Sequence, residues 1–255
     1  MAGAAVLERL TARAPLIWRV ATVREAVAES ARARTLVLDV PDWPGHRAGQ
    51  HVDVRLTAED GYQAQRSYSI ASAPELDGVE LTVELVDDGE VSQYLVEEVR
   101  TGDEFELRGP IGGHFTWSAD DGGPLLLLAG GSGLVPLMSM LRHLAAHEQT
   151  VDARVLVSSR GWDDVLYREE LAVLARRPGV AVHHTLTRET PPGWEGFDRR
   201  IDADMLRAVG PPPDAEPRVF VCGPTAFVER AADLLVALGH PPQAIRAERF
   251  GPTGG

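Results

Sequence analysis

The amino-acid sequence predicts two domains, an antiparallel β-barrel followed by a parallel α/β sheet. Three observations carry this. As far as residue 118, apolar residues alternate with polar ones, the period of strands with one wet face. From residue 124, continuous apolar runs alternate with helical patterns, as in a parallel sheet covered on both sides. Between them lies "SADDGGP", 118–124, which has the composition of a linker. The chain's 255 residues suffice for two domains of ordinary size. The expected divisions are 1–15 for a loose tail or short helix, 16–118 for the barrel domain and 124–255 for the α/β domain.

Each element has its own signal. "MAGAAVLERLTARA" is broken by Glu8 and Arg9 and lacks a signal-peptide core. "TLVLDV", 35–40, reads as a strand. In "HVDVRL", 51–56, Val52, Val54 and Leu56 face one side, and His51, Asp53 and Arg55 the other. A strand then runs into "RSYSIASAP", 66–74, where Arg66 shares a face with Tyr68 and Ile70. In "VELTVELV" the inward set is Val79, Leu81, Val83 and Leu85. Ser92 in "DDGEVSQYL", 87–95, is placed to cap a helix. "DEFELRGP", 103–110, supplies a further strand.

Past the linker, "PLLLLAGG" reads as a strand buried on both faces, with a helix from about Gly133 to His147. "ARVLVSS" and "VAVHHTL" are strands, with "DVLYREELAVLARR" an amphipathic helix between them. "PPPDAEP", 211–217, is a loop, and "RVFVCGP" leads into the helix "TAFVERAADLLVALG", which Gly239 ends.

Composition excludes several function classes. Hydrophobic residues make up 44% and charged residues 25%, close to the average of globular domains. No apolar run approaches the ~20 residues of a membrane span, so no membrane role is expected. Net charge is −13. Residues 1–120 hold 21 of the 38 acids and 11 of the 25 arginines, which puts −10 there and −3 on the remainder. Such a surface argues against nucleic-acid binding. Neither Lys nor Asn occurs, and every basic residue is Arg. We read this as genomic base composition. Cys222 is the single cysteine, so neither an intrachain disulfide nor a Cys-ligated cluster can form. A reducing, cytoplasmic location is expected.

Chemistry is expected at the strand ends of the second half. In "AGGSGLVP", 129–136, Gly131, Ser132 and Gly133 lie between a buried strand and a helix. Glycine admits close backbone approach, and a helix N-terminus offers N–H groups to an anion. The run is neither G-x-G-x-x-G nor a Lys-containing P-loop, and a purely structural turn remains the alternative. Cys222 closes another strand, where a small buried hydrophobe is the plain alternative. Ser159 and Arg160 close a third and Arg188 a fourth. A hydroxyl and guanidinium groups there suit a phosphate.

Metal and hydrolytic chemistry are not expected. His143 and His147 stand four apart on a helix, but without an H-E-x-x-H glutamate. His183 and His184 are adjacent in a strand and point to opposite faces. Ser132 sits in G-G-S-G, which is not a nucleophile elbow.

The ordered set "RSYS", "GPIGG", "AGGSGLVP", "VFVCGP" and "ERFGP" resembles the ferredoxin–NADP reductase family over roughly residues 16–252. The resemblance implies one FAD held without a covalent bond, with FMN the alternative for want of an adenine-binding signature. It implies that Arg66, with Ser67 in the same run, meets the flavin pyrophosphate. Tyr68 would stack on the ring and Ser69 would set a hydroxyl near N5. Val83, Glu84 and Leu85 would touch the flavin through their backbone, and Gly89, Val91 and Ser92 would face its phosphates. The nucleotide pyrophosphate would lie on Gly131, Ser132 and Gly133. Its nicotinamide would lie beside Cys222, Gly223 and Pro224, with Phe250 covering the ring in its absence and Glu248 managing charge nearby.

NADPH is expected over NADH. Ser159, Arg160 and Arg188 stand where an acid would select NADH, although Asp163 and Asp164 follow closely. The implied activity passes hydride from NADPH to FAD, then electrons to a separate acceptor. A ferredoxin, an oxygenase component or a molybdenum oxidoreductase component would qualify. The acidic first half slows encounter with an equally acidic ferredoxin. The alternatives are a flavin reductase that releases reduced flavin or reduces oxygen, and a non-catalytic flavin- and nucleotide-binding subunit of a larger complex.

Overall fold

The computed structural model describes residues 16–148 and 150–251, so the expectation for residues 1–15 lies outside the described residues. Six antiparallel strands come first: β1 (Trp18–Ser30), β2 (Ala33–Asp39), β3 (His51–Thr57), β4 (Gln63–Ser69), β5 (Val79–Glu84) and β6 (Glu104–Ile111). They pair in the order β4-β3-β6-β1-β2-β5. A single antiparallel bridge, Ile70 to Leu81, joins the two edges and closes the sheet into a barrel. Leu36, Leu38, Val52, Val54, Ile70, Val79, Leu81, Val83 and Leu107 fill it with no exposed surface. Leu56 and Leu85, expected inside, are only half-buried, because they stand at the ends of their strands.

β1 is a strand that the sequence reading did not single out. Ala21 and Val23 face the core, but Val20 and Val27 are exposed. Apolar residues on both faces blur the period-two signal. The outer face of β3 is also drier than expected. Asp53 is 7% exposed, accepting from Arg108 and from Ser67, each at 2.7 Å. The guanidinium groups of Arg55 and Arg108 both pack on the Trp18 ring, at 4.1 and 4.8 Å from its centre. Burial pushes the Asp53 carboxyl up, but the bonds from Arg108 and Ser67 outweigh it and hold it below the usual carboxylate range.

A short helix, α1 (Glu90–Gln93), runs into a π-turn over Tyr94–Glu98 and plugs the barrel with Val91 and Leu95. Ser92 is not its cap. Gly89 holds that position. The Ser92 hydroxyl instead donates to the Gly89 carbonyl at 2.9 Å and accepts from the Val86 N–H at 3.1 Å. It therefore ties the end of β5 to the helix start.

The second sheet is parallel: β7 (Leu125–Gly130), β8 (Ala153–Ser159), β9 (Val180–Leu186), β10 (Arg218–Pro224) and β11 (Ile245–Phe250), ordered β11-β10-β7-β8-β9. α2 (Leu134–Ala146) and α3 (Arg168–Leu174) cover one face, and α4 (Ala203–Val209) and α5 (Thr225–Ala237) the other. Gly239, at φ 97°, follows the end of α5 as expected. α3 is shorter than its sequence pattern. Tyr167 stands immediately before it at φ 53°, and that left-handed residue interrupts the helix. β11 is a half-exposed edge strand, so its pattern is weak.

The linker is held in place. The Ala119 N–H donates to His143 Nε2 at 3.1 Å, so His143 Nδ1 carries the proton and donates to Glu75 at 2.6 Å. His147 Nδ1 donates to the His143 carbonyl at 2.8 Å. The nitrogens that point at Glu75 therefore carry protons and have no lone pair for a metal.

Candidate functional site

The parallel strands end against the barrel. β7 is wholly buried until Gly130, and Gly131, at φ 54°, turns the chain into α2. Neighbouring glycines do different work here. A Cβ on Gly133 would stand 2.1 Å from the Cys222 carbonyl oxygen and 2.7 Å from the Gly223 nitrogen, whereas one on Gly131 would meet only a Glu84 carboxylate oxygen, at 3.7 Å. The turn is thus packed tightly on β10 and open on the side facing the barrel. That open side is a cavity of about 190 Å³. Gly131, Ser132, Ser159, Arg160, Pro224 and Phe250 line it from the parallel sheet, and Ser30, Arg32, Ala33 and Glu84 from the barrel. A larger cavity of about 620 Å³, lined by Arg55, Tyr62, Tyr94 and Glu106 among others, contains none of the candidate cofactor-binding or catalytic residues.

Cys222 lies just beneath this crevice, 2% exposed. Burial, and then the neighbouring Glu248, push its thiol well above the usual range. Such a thiol is a packing and contact group rather than a nucleophile. Glu248 is in register with Cys222 across β10 and β11. Burial pushes its carboxyl up to about 7. Phe250 is in register with Pro224 and is 38% exposed on the crevice wall. Ser159 is buried, and its carbonyl accepts from the Thr187 N–H and hydroxyl. Arg160 and Arg188 are both exposed, and the Arg188 N–H donates to the Arg160 carbonyl at 2.9 Å. The two strand-end arginines are therefore neighbours.

On the barrel side, Arg66 pairs with Val54 and Tyr68 with Val52. Directly opposed residues share a face, so both side chains stand on the barrel's inner face. Arg66 is nevertheless exposed and Tyr68 half-buried, because β4 and β5 meet only at the Ile70–Leu81 bridge. The Arg66 guanidinium donates to the carbonyl of its neighbour Gln65 at 2.7 Å, and the side chain is exposed. Burial pushes the Tyr68 phenol up, against the pull of Arg66. Ser67 faces the opposite way, to Asp53, and Ser69 is half-buried at the end of β4. Val83 is fully buried in the barrel core, Glu84 is exposed on the crevice wall and Leu85 is half-buried.

Sequence reasoning missed the clamp that holds the two halves. Arg142 of α2 donates to Glu80 at 2.7 Å, to the Ala71 carbonyl at 2.9 Å and in two bonds to Glu170 at 2.7 Å. Its guanidinium lies 5.1 Å from the centre of the Tyr167 ring. The Tyr167 hydroxyl donates to Thr82, and its N–H donates to Glu29 at 3.2 Å. Thr35 joins Thr82 to Glu29 at 2.7 and 2.6 Å. Arg142 and Glu80 are 62 positions apart, and Tyr167 and Glu29 are 138. No local pattern announces such pairs.

The fit to a flavin and a dinucleotide rests on these features. There is a glycine turn open towards the barrel, an exposed arginine and a half-buried aromatic ring at an open sheet edge. The comparisons agree. Residues 20–117 match an oxidoreductase FAD-binding domain, and residues 127–233 an oxidoreductase NAD-binding domain. The chain is 31% identical over 212 residues to a glycine betaine monooxygenase reductase subunit of Pseudomonas aeruginosa, covering 81% of this chain and 57% of that protein. It is 32% identical over 241 residues to the ferredoxin reductase component of a 3-ketosteroid-9-alpha-monooxygenase of Rhodococcus rhodochrous, covering 92% and 65%. It thus spans less than two thirds of either relative. A cytochrome P450 reductase from Amycolatopsis superposes with a TM-score of 0.81 at 28% identity, covering 94% of this chain and 72% of that one. With an FAD-binding barrel and an NAD-binding parallel sheet in this order, the chain belongs to the ferredoxin–NADP reductase family.

Proposed function

We propose that this chain oxidises a nicotinamide nucleotide and delivers its electrons, through FAD, to a separate acceptor. One observation carries the reading. The glycine turn, Phe250 and the barrel residues Arg32 and Glu84 line one crevice, so a dinucleotide bound on the parallel sheet reaches the barrel. Bound flavin would supply the hydride and single-electron chemistry, and the protein supplies position and electrostatics.

Each half contributes what the other lacks. Arg66, exposed at the sheet edge, is the countercharge for the flavin pyrophosphate. Tyr68 offers a planar wall, and Ser69 a hydroxyl at the strand end. Gly89, Val91 and the Val86–Ser92 bond shape the phosphate end, and Val83, Glu84 and Leu85 form the adjoining strand. Gly131, Ser132 and Gly133 take the nucleotide pyrophosphate, with Cys222, Gly223 and Pro224 beneath its nicotinamide and Phe250 as the displaceable cover. Glu248, with its carboxyl pushed up to about 7 by burial, exchanges a proton beside Cys222 near neutral pH.

Arg160 and Arg188 stand side by side, which supports NADPH over NADH. Relatives named as oxygenase reductase components, together with the −10 on residues 1–120, favour an oxygenase component with a basic docking face. Residues 16–118 and 124–255 are the two functional units. Among the described residues no helix is long and apolar enough to cross a membrane, and the single cysteine supports a cytoplasmic location. The test is the absorption spectrum of purified protein before and after anaerobic NADPH and NADH, followed by gel filtration. A yellow protein bleached by nucleotide that keeps its flavin supports the reading. A colourless protein, or loss of the flavin once reduced, refutes it.

A further inference from the structure

Two cationic side chains line the crevice, and only one comes from the parallel sheet. Arg160 follows β8. The other, Arg32, belongs to the β1–β2 turn of the barrel. Two acids, Glu84 and Asp164, line the same space. The four cancel, so without Arg32 the lining would carry one net negative charge towards a dianionic pyrophosphate.

Arg32 is well anchored at its backbone and loosely held at its tip. Its carbonyl accepts from the Leu85 N–H at 2.7 Å. The guanidinium donates to the Leu85 carbonyl at 3.1 Å and to Asp87 at 2.6 Å. Asp87 is 86% exposed and the Arg32 side chain 43%, so water screens that pair. A pyrophosphate offers the same guanidinium more acceptor oxygens and more charge. We propose that Arg32 is the countercharge for the nucleotide pyrophosphate, supplied across the crevice by the barrel domain, with Asp87 its resting partner. The inference rests on the nucleotide reading above. Bound nucleotide then ties the two domains together through Arg32. Because NADH and NADPH share the pyrophosphate, Arg32 serves both alike, whereas Arg160 discriminates between them.

The experiment titrates flavin-loaded parent, Arg32→Gln and Arg32→Lys with NADP+, NAD+ and 2′-AMP, which lacks the pyrophosphate. Binding is read by calorimetry and by flavin difference spectra. Arg32→Gln should raise the Kd of NADP+ and NAD+ equally, by about ten- to a hundredfold, and that of 2′-AMP less than about twofold. Arg32→Lys, which keeps the charge, should recover part of the loss. Unchanged NADP+ binding overturns the proposal. So does an equal loss for NADP+ and 2′-AMP, which would place Arg32 at the 2′-phosphate. Flavin loss from Arg32→Gln would make Arg32 an anchor for the end of β5 and also overturns it. A parent that binds none of the three ligands overturns the nucleotide reading itself.

Discussion

Alanine at Gly133 and alanine at Gly131 make a paired test of the glycine turn. At Gly133 the backbone conformation is ordinary, with φ −60° and ψ −11°, so alanine strains no dihedral angle. The obstacle is space. The new Cβ would lie 2.1 Å from the Cys222 carbonyl oxygen, 2.3 Å from its carbon and 2.7 Å from the Gly223 nitrogen. All three are backbone atoms of an interior strand. Relief requires α2 to back away from β10 by about 1 Å, and overpacking of this kind costs about 1–3 kcal/mol, or more where backbone must move. A loss of unfolded-state entropy offsets ~0.4–1 kcal/mol. The expected net loss is about 2 kcal/mol, or roughly 4–8 °C in melting midpoint for a chain of this size. At Gly131 the nearest atom is 3.7 Å away, but φ is 54°, and the left-handed region costs ~1–2 kcal/mol. The assay is thermal unfolding by circular dichroism together with NADP+ titration. Gly133→Ala should lose stability and bind NADP+ at least about tenfold more weakly. Gly131→Ala should lose about half as much stability. A Gly133→Ala protein with the parent's midpoint and Kd would refute the close-packing argument.

Three further expectations concern other parts of the site. Arg66→Ala should weaken flavin retention by about 1.5–3 kcal/mol, the worth of a charge-assisted contact, and full occupancy after prolonged dialysis would remove Arg66 from the flavin site. Arg142→Met leaves Glu80 and Glu170 without their partner. With a side chain 16% exposed, Arg142 should contribute about 2 kcal/mol, between the exposed and buried cases. A double-mutant cycle with Glu170→Gln that shows no coupling would reject the clamp. Glu248, with its carboxyl pushed up to about 7, is favoured neutral in the folded state. The native state then binds more protons than the unfolded one between about pH 4.5 and 7, and stability falls as pH rises through that window. Glu248→Gln should match the parent near pH 5 and exceed it near pH 8, by on the order of 2 kcal/mol. An equal difference at both pH values would show that the carboxyl does not titrate there.

How much of this was legible in the sequence depends on how far each interaction reaches along the chain. The alternation of Val52 and Val54, the apolar run before Gly130 and the end of α5 at Gly239 arise within a few residues, where strand period, two-sided burial and helix termination leave their mark directly. The glycine turn was legible for the same reason, since a left-handed residue such as Gly131 and a close backbone approach such as that of Gly133 to Cys222 favour glycine wherever they occur. Other features depend on partners brought together only by folding. β1 was obscured because its outward face is apolar too. Ser92 reads as a cap, yet in the folded chain its hydroxyl bonds to Val86 and Gly89. Nothing local marks Arg142 or Tyr167, whose partners Glu80, Thr82 and Glu29 are supplied by the barrel. Nothing local marks Arg32 either, which lines one crevice with Gly131 and Arg160 only in the folded chain. Local conformational preference is written residue by residue, whereas a charge acquires its role from whatever the tertiary fold sets opposite it.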